Sequence, residues 1–479
     1  MYNFPLNYFK DEYREGFLVE SMVKRAWAAQ MEVLGHIVLV CEKYGIQYWA
    51  MWGTLLGAIR HNGYIPWDDD LDIAMKRDDY DRFLQVAKDE LPDGYVVMSP
   101  YTEPEWKEQI ARVNNSHSIK FTDDFLDEYH GFPYSTGVDI FPYDYVPESE
   151  SQCREQANLI DIVVKTREHV INKNNMLKSG IYNGELDEAI SFGLKNLETL
   201  FGFEFNREVY LDNQLLCLYD QLSASYGDET CTYMTCLAER AKRQKNNSDF
   251  LVPAFLFEET VDHDFEGFSI KVPKFYEIVV SMCYGKNFMT PIKSGVAGHD
   301  YPFYKRQVGI LKELGRYEEV MEAVTNSDQR ALTKGISTFI DDIEVCSAYC
   351  NSDLDFNKGE KKAVMYCMSS IDIFGQEEVA IDKFCRTLSF FEGKKNEVQL
   401  VLLIDTLDEE ILERASEHTL TRYRSIVDKY IKEHWGKYIY KENVIAGAEY
   451  CDAYYGSANE YIKLFTSNNK PVMIQNLEV

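Results

Sequence analysis

The spacing of apolar residues divides the first part of the chain into helical and strand-like segments. Apolar positions recur at three- and four-residue steps over residues 17–45, which predicts one long amphipathic helix ending at Gly45. A short apolar run at 47–51 is typical of a buried strand, and the turn after it leads into a short helix. Residues 70–75 alternate acidic and apolar side chains, which predicts a strand with one polar face.

The later pattern predicts a helical insertion and a second domain. Helix-forming residues dominate the insertion, and a polar stretch precedes a region in which apolar runs alternate with helix-length segments. That alternation is typical of a parallel α/β sheet, with further short strands expected at 444–446, 453–455 and 471–475. The predicted organisation is a domain at 1–305 with the insertion at about 150–245, a helical connector at 306–360 and a Rossmann-like domain at 361–479.

Composition and charge narrow the possible partners. The formal net charge is −29, from 79 acidic and 50 basic residues, which argues against nucleic acid because phosphate neutralisation needs a basic face. The 11 cysteines are scattered and contain no Cys-x-x-Cys pair, which indicates reduced thiols. With neither a leader nor a spanning segment in evidence, we expect a cytoplasmic protein and leave open peripheral contact with the inner face of the membrane.

The stretch WDDDLDI at 67–73 contains the strongest chemical signal. On a strand, Asp70 and Asp72 share a face, and two neighbouring carboxylates repel each other unless a cation lies between them. Hard oxygen ligands suit Mg²⁺ or Mn²⁺. An EF-hand is excluded because its glycine and glutamate positions hold Ile73 and Asp79. For Asp68 and Asp69 the default expectation is a solvated acidic turn.

Two further elements accompany this acidic strand. Gly53 and Thr54 lie at a turn before a helix, where backbone N–H groups and a hydroxyl can bind a phosphate. Asp139 stands between two apolar residues on a predicted strand, and a buried lone carboxylate is costly unless it is paired or bound to a metal. The order Gly-Thr, Asp-x-Asp and a single Asp is that of nucleotidyltransferase-fold enzymes.

Three segments carry a resemblance to a known family. YWAMWGTLLGAIRHNGYIPWDDDLDIAM at 48–75 closely resembles the signature of the LicD family, which includes fukutin-related proteins. GVDIFPYD at 137–144 resembles its second motif, and a looser segment at 284–299 resembles its closing motif, with His299. The fold class implied is α/β. The first domain is expected to be an α+β nucleotidyltransferase-like core with a helical insertion, and the parallel Rossmann-like domain follows it. That second domain resembles the nucleotide-binding half of a GT-B glycosyltransferase.

The resemblance also implies an activity. LicD-type enzymes transfer phosphocholine or a related phospho-alcohol from a CDP-linked donor to a glycan or glycolipid of the cell surface, such as teichoic acid, lipopolysaccharide or capsule. Carried over, Asp70, Asp72 and Asp139 are the catalytic metal ligands, and Gly53 and Thr54 hold the donor phosphates. The sequence leaves open glycerol or ribitol phosphate as the transferred group, and a non-catalytic scaffold that binds a nucleotide or glycan.

Several residues near these motifs are candidates for substrate binding. Arg60 and Arg112 can clamp phosphates through a bidentate fork, although each can equally be a structural surface charge. His61 and His130 lie near the motifs and can be ordinary polar residues. Trp67 and its neighbouring tryptophans can form a cation–π cage for choline, or belong to the core.

Overall fold

The computed structural model describes residues 2–227, 231–236, 251–292, 301–333 and 361–475. The chain divides into two compact units. The first unit comprises Met1–Lys274 and Ser294–Phe339, and the second comprises Phe275–Lys293 and Ile340–Val479. The segment Phe275–Lys293 therefore groups with the second unit, whereas the sequence-based boundary at 305 assigns it to the first domain.

The first part of the first unit contains four helices and seven strands, and its strands β1 and β2 form a hairpin. Its helices are α1 (Ser21–Tyr44), α2 (Trp52–His61), α3 (Arg77–Glu90) and α4 (Asp123–Glu128). Its strands are β1 (Glu12–Arg14), β2 (Phe17–Val19), β3 (Trp49–Ala50), β4 (Asp72–Lys76), β5 (Val96–Met98), β6 (Ala111–Asn114) and β7 (Gly137–Val146). The predicted helix over 17–45 thus begins later, because Phe17–Val19 pairs in the hairpin, and it ends at Gly45 in the left-handed region (φ 60°).

The remaining described elements of the first unit form the insertion, a second hairpin and a closing helix pair. The helices are α5 (Glu150–Lys178), α6 (Asp187–Phe201), α7 (Leu211–Ser223), and the pair Lys305–Glu313 and Tyr317–Thr333. The strands are β8 (Tyr233–Thr235), β9 (Val252–Pro253), β10 (Thr260–Phe265) and β11 (Phe268–Pro273). Helices α5 to α7 pack through their own apolar cluster, which includes Val163, Leu194 and Leu215. The predicted helical insertion is therefore helical up to Ser223, after which Tyr233–Thr235 is a strand.

A mixed sheet organises the first unit. Its main path runs in the order β3-β4-β7-β6-β5, with β8 paired to β7 and β9 to β8. Only the pair of β4 and β7 is parallel among the described strands of this sheet. Ile73 and Ile140 are fully buried in this sheet, and α1, whose Trp27 is also fully buried, contacts β7. The sheet is therefore a rigid support for side chains at the start of β4 and β7.

The second unit contains a parallel sheet, as the alternation of apolar runs predicts. Its strands are β12 (Lys362–Cys367), β13 (Val398–Ile404), β14 (Lys437–Tyr440), β15 (Ala453–Gly456) and β16 (Val472–Ile474), in the order β14-β13-β12-β15-β16. Every pairing is parallel. The helices are Tyr276–Tyr284, Ser370–Ile373, Glu377–Gly393, Thr406–Ala415, Glu417–Glu433, Val444–Tyr450 and Ile462–Thr466.

One predicted strand of this unit is a helix. Residues 444–446 lie in the helix Val444–Tyr450, whose Gly447 and Ala448 are buried against the apolar core of the sheet. The short apolar run was too brief for its period to distinguish a strand from one face of a helix. In the part of the chain that the structure describes, no helix is both long and apolar enough to cross a bilayer.

Candidate active site

The parallel pairing of β4 and β7 brings two of the predicted carboxylates together. Asp72, the first residue of β4, lies directly beside Asp139 in the parallel register. The backbone N–H of Asp139 donates to the carbonyl of Leu71 at 3.0 Å, which fixes this register at the strand start. Because Val138 and Ile140 are fully buried on the opposite face, the Asp139 side chain lies on the same face of the sheet as Asp72.

The acidic loop before β4 is anchored by buried hydrogen bonds. Trp27 Nε1 donates to the carbonyl of Asp68 at 3.0 Å, and Gln30 Nε2 donates to that of Asp69 at 2.8 Å. The backbone N–H of Phe303 donates to Asp69 Oδ2 at 2.5 Å. Asp69 is fully buried, so the expectation of a solvated turn is wrong for this residue. Asp70 lies in this loop, because β4 begins two residues later than the alternation predicts.

The carboxylates of this loop and of the two strands interact strongly. Burial raises the pKa of Asp72 well above its ordinary value, and the charges of Asp70, Asp139 and Asp68 raise it further, with Arg112 opposing them. Carboxylate oxygens of Asp68, Asp69 and Asp70 lie within 4.8 Å of one another. Crowded, poorly solvated carboxylates of this kind are stabilised by a bound cation, so hard divalent metal ions fit the donor set.

Arg112 is paired with the third predicted carboxylate. It lies on β6 directly opposite Asp139 in the antiparallel register. Its Nε donates to Asp139 Oδ1 and its Nη2 donates to Oδ2 at 2.6 Å, a bidentate fork. The guanidinium also lies 5.5 Å from the ring centroid of Trp106. Arg112 therefore fixes the orientation of the Asp139 carboxylate, a contact that the sequence did not reveal.

The start of α2 lies against the acidic loop. The Thr54 hydroxyl is buried and accepts a hydrogen bond from the backbone N–H of Asp72 at 2.8 Å. A Cβ placed on Gly53 would lie 2.3 Å from Asp68 Oδ2, so a larger residue here would displace the Asp68 carboxylate. Trp52, the first residue of the helix, has a positive φ of 49°, which is strained for a bulky side chain. The turn is thus held in a costly conformation beside the carboxylates.

The other predicted binding residues near α2 form a connected group. Arg60 Nε donates to His61 Nε2 at 2.8 Å, and His61 Nδ1 lies 3.3 Å from Glu15 of the first hairpin. The His61 ring contacts Trp67 edge-on at a centroid distance of 6.2 Å. The Trp67 ring contacts Phe17 at the same distance, so the tryptophan packs between the hairpin and the end of α2.

His130 belongs to a different part of the first unit. Its Nε2 is 2.9 Å from Glu32 Oε1, its ring stacks on Phe9, and its carbonyl accepts from Arg25. Among the described residues, none of its contacts is with the aspartates of the site. His299 lies outside the described residues.

The site was richer in acidic residues than the sequence interpretation recognised. Asp68 and Asp69 were set aside as a turn, yet both contribute oxygens to the cluster with Asp70. The available signal was the unbroken run of three aspartates just before a buried strand. A run of charged residues usually lies on a solvated surface. Here the run leads directly into Leu71 and Ile73, which are fully buried, so the aspartates lie close to the core.

Fold and site together define a class of protein. A mixed α/β domain gathers aspartates at the start of two parallel strands, beside the first turn of a helix, as in nucleotidyltransferase-like folds. The family model described as the LicD/FKTN/FKRP nucleotidyltransferase domain matches residues 45–159. This part of the chain is a LicD-family domain, and it contains the aspartates at 70, 72 and 139.

Curated relatives match the same region. The lipopolysaccharide cholinephosphotransferase LicD of Haemophilus influenzae is 36% identical over 123 residues, which is 23% of this chain and 45% of the relative. The ribitol 5-phosphate transferase FKRP of Homo sapiens is 43% identical over 51 residues, 11% of this chain and 10% of the relative. An uncharacterized Rickettsia typhi protein, RT0683, is 38% identical over 92 residues, 18% of this chain and 30% of the relative. The chain thus spans less than half the length of these relatives.

Proposed function

We propose that this chain is a phosphotransferase that moves a phospho-alcohol from a CDP-linked donor to a hydroxyl of a cell-surface glycan, with phosphocholine as the first candidate. The observation that carries the proposal is the register of β4 and β7, which puts Asp72 beside Asp139 with Asp70 just before the strand. The named transferases among the relatives support the reaction class, and their two transferred groups, choline phosphate and ribitol phosphate, keep ribitol phosphate as the alternative.

A divalent cation fits the chemistry of this site. Asp70, Asp72 and Asp139 would hold Mg²⁺ or Mn²⁺, with Asp68 as a further oxygen donor in the same cluster. When bound, the ion would neutralise the donor diphosphate and the charge that develops on it. Burial is the largest cause that raises the pKa of Asp72, and repulsion by the neighbouring carboxylates is the second. This repulsion supports the assignment of a cation to the site.

The chain's own residues have four tasks in this proposal. Arg112 keeps the Asp139 carboxylate in one orientation, so that an oxygen can accept the proton of the acceptor hydroxyl. Thr54 fixes the backbone of Asp72. In this proposal, the N–H groups at the start of α2 bind the donor phosphates, and Arg60, in the last turn of the same helix, supplies a positive charge to the donor. Trp67 and His61, which contact each other between α2 and the first hairpin, bind the donor as well in this proposal.

A donor screen tests the proposal. The full chain is incubated with CDP-choline, CDP-ribitol, CDP-glycerol or CDP-ethanolamine, with lipopolysaccharide or teichoic acid as acceptor, and with Mg²⁺, Mn²⁺ or excess chelator. The expected result is metal-dependent release of CMP from one donor, with the phospho-alcohol recovered on the glycan. Binding of a donor without any transfer, under every metal condition, would instead support the non-catalytic scaffold.

The matched variants are Asp72→Asn and Asp93→Asn, the latter exposed in the same unit. Asp72→Asn removes a desolvated, repelled charge, so the protein is expected to melt at the wild-type temperature or above it. Its turnover should fall at least about a hundredfold, since electrostatic stabilisation of the transferring group supplies most of the catalysis. Asp93→Asn should transfer at the wild-type rate, and full turnover by Asp72→Asn would refute the site.

A further inference from the structure

The carboxyl edge of the parallel sheet in the second unit gathers polar side chains from four strand ends. In the order β14-β13-β12-β15-β16, the chain adds strands first on one side of β12 and then on the other. The point between β12 and β15 is therefore a topological switch point, where α/β proteins commonly bind ligands. Glu277, from the helix Tyr276–Tyr284 of the same unit, interacts electrostatically with this edge. The residues that follow the strand ends are Ser369, Asp405, Asp408, Lys441, Ser457 and Glu460.

Two serines follow the neighbouring strands β12 and β15. The backbone N–H of Ser369, after β12, donates to Ser457 Oγ at 2.9 Å, and the Ser457 hydroxyl donates to the carboxylate of Asp372. The hydroxyl of Ser369 itself has no hydrogen-bond partner among the described residues, although the residue is only 5% exposed. A buried hydroxyl without a partner is costly, and a polar ligand would supply the missing hydrogen bond.

Three carboxyl groups at this edge interact with Lys441. They belong to Glu277, Asp405 and Asp408, and Lys441 Nζ lies 3.4 Å from Asp405 Oδ2. Within the described part of the chain, no hydrogen bond or ion pair reaches the carboxyl group of Asp408, which is 2% exposed. Burial raises the pKa of Asp408, and the charges of Asp405 and Glu277 raise it further against the opposing Lys441.

The nature of the missing partner follows from these charges and from the spacing of the carboxyl groups. A nucleoside diphosphate would bring further negative charge to carboxyl groups that already raise one another's pKa. A single metal ion is also a poor fit, because among the described residues only Asp68, Asp69 and Asp70 offer three acidic, His or Cys ligand atoms within 4.8 Å of one another. An ammonium group has three N–H donors, so it can donate to two carboxyl groups and a hydroxyl at once.

An aromatic face at this edge already accepts an ammonium group. Lys441 Nζ lies 6.0 Å from the centroid of the Tyr276 ring, within the range of cation–π attraction. The Tyr276 hydroxyl donates to Glu460, which ties the ring to the acidic group. We propose that the carboxyl edge of this sheet binds a small organic cation that carries a primary ammonium group, held by Asp408 and Glu277 and by the Ser369 hydroxyl.

Direct binding tests this site on the full chain. Ethanolamine is the probe, followed by equilibrium dialysis of the labelled compound, with CDP and Mg²⁺ as rival probes. Saturable binding of ethanolamine is expected, and Asp408→Asn or Glu277→Gln should each raise its Kd by about tenfold or more, because each removes a charged partner of the cation. Glu413→Gln, an exposed acid on the helix Thr406–Ala415, is the matched control and should leave Kd unchanged.

The active-site variant Asp72→Asn separates this inference from the proposed function. It should bind ethanolamine as the wild type does, even if the donor screen finds no transfer at all. Loss of ethanolamine binding in Asp72→Asn but not in Asp408→Asn would assign the ligand to the first unit and overturn the inference. Absence of saturable ethanolamine binding, or preferred binding of CDP or Mg²⁺ that Asp408→Asn abolishes, would overturn it as well. If Asp408→Asn does not fold, Ser369→Ala must weaken ethanolamine binding severalfold, and unchanged binding there refutes the site.

Discussion

The hydrogen bond between Thr54 and Asp72 offers a quantitative test of how the site is built. Thr54 is 3% exposed and its hydroxyl accepts the Asp72 N–H at 2.8 Å. Thr54→Val keeps the shape of the side chain and removes the acceptor, which leaves a buried N–H unpaired. Such an orphaned donor costs about 1–3 kcal/mol. We therefore expect the free energy of unfolding of the first unit to fall by about 2 kcal/mol.

The same substitution should affect turnover more than donor binding. With the N–H unpaired, the start of β4 can shift, and a small displacement of a catalytic group costs on the order of a hundredfold in rate. We expect kcat to fall while KM for the CDP-linked donor changes little. Thr54→Ser, which keeps the hydroxyl and loses only a methyl group, is the matched control and should retain most of the wild-type kcat.

Urea unfolding and steady-state kinetics on the wild type and the two variants measure both effects. A Thr54→Val protein as stable as the wild type, with a raised donor KM, would refute the reasoning. That outcome would mean that the hydroxyl binds donor phosphate, as the sequence predicted, and that Asp72 does not depend on it.

Two further predictions concern buried ionisable groups. Arg77→Met removes the guanidinium whose Nε lies 2.6 Å from the fully buried Asp144, so the free energy of unfolding should fall by about 3–5 kcal/mol. Thermal melts should show this loss, with Arg82→Met, at an exposed arginine, as the control. An Arg77→Met protein that melts near the wild-type temperature would contradict the prediction. Burial and the charge of Glu460 raise the pKa of Glu277 to about 8. Between pH 4.5 and 8 the folded second unit therefore keeps a proton that the unfolded chain has lost, and the stability of this unit should decline as pH rises. Urea unfolding at pH 5, 6.5 and 8 should show that the free energy of unfolding declines less steeply with pH in Glu277→Gln than in the wild type. Equal slopes in the two proteins would contradict this prediction.

Local patterns were enough to find the main elements and the acidic residues of the site. The three- and four-residue apolar spacing located α1, whose end at Gly45 follows from glycine's freedom in the left-handed region. The alternation over residues 70–75 located β4, which begins at Asp72. These signals are local, because side-chain direction in a helix or strand depends only on position within it. The same local reading failed at 444–446, where tertiary packing selected a helix.

The arrangement of the site depended on contacts between distant segments. Arg112 was predicted as a phosphate clamp, and only the register of β6 and β7 shows its bidentate pair with Asp139. His130 was predicted near the site on grounds of sequence proximity, and the fold places it with Glu32 and Phe9. Strand partners and registers are chosen by the burial of whole faces, which no short window of sequence contains.

The sequence by itself determined which residues can do the chemistry: the aspartates at 70, 72 and 139, the Gly-Thr turn and the LicD-like motifs are all visible in order. Tertiary structure decided which of them meet. The parallel pairing of β4 with β7 puts Asp72 beside Asp139, and the packing of α1 buries the loop that contains Asp69. Residue type is written in the chain, whereas proximity and desolvation arise only when the separate segments bury their apolar faces together.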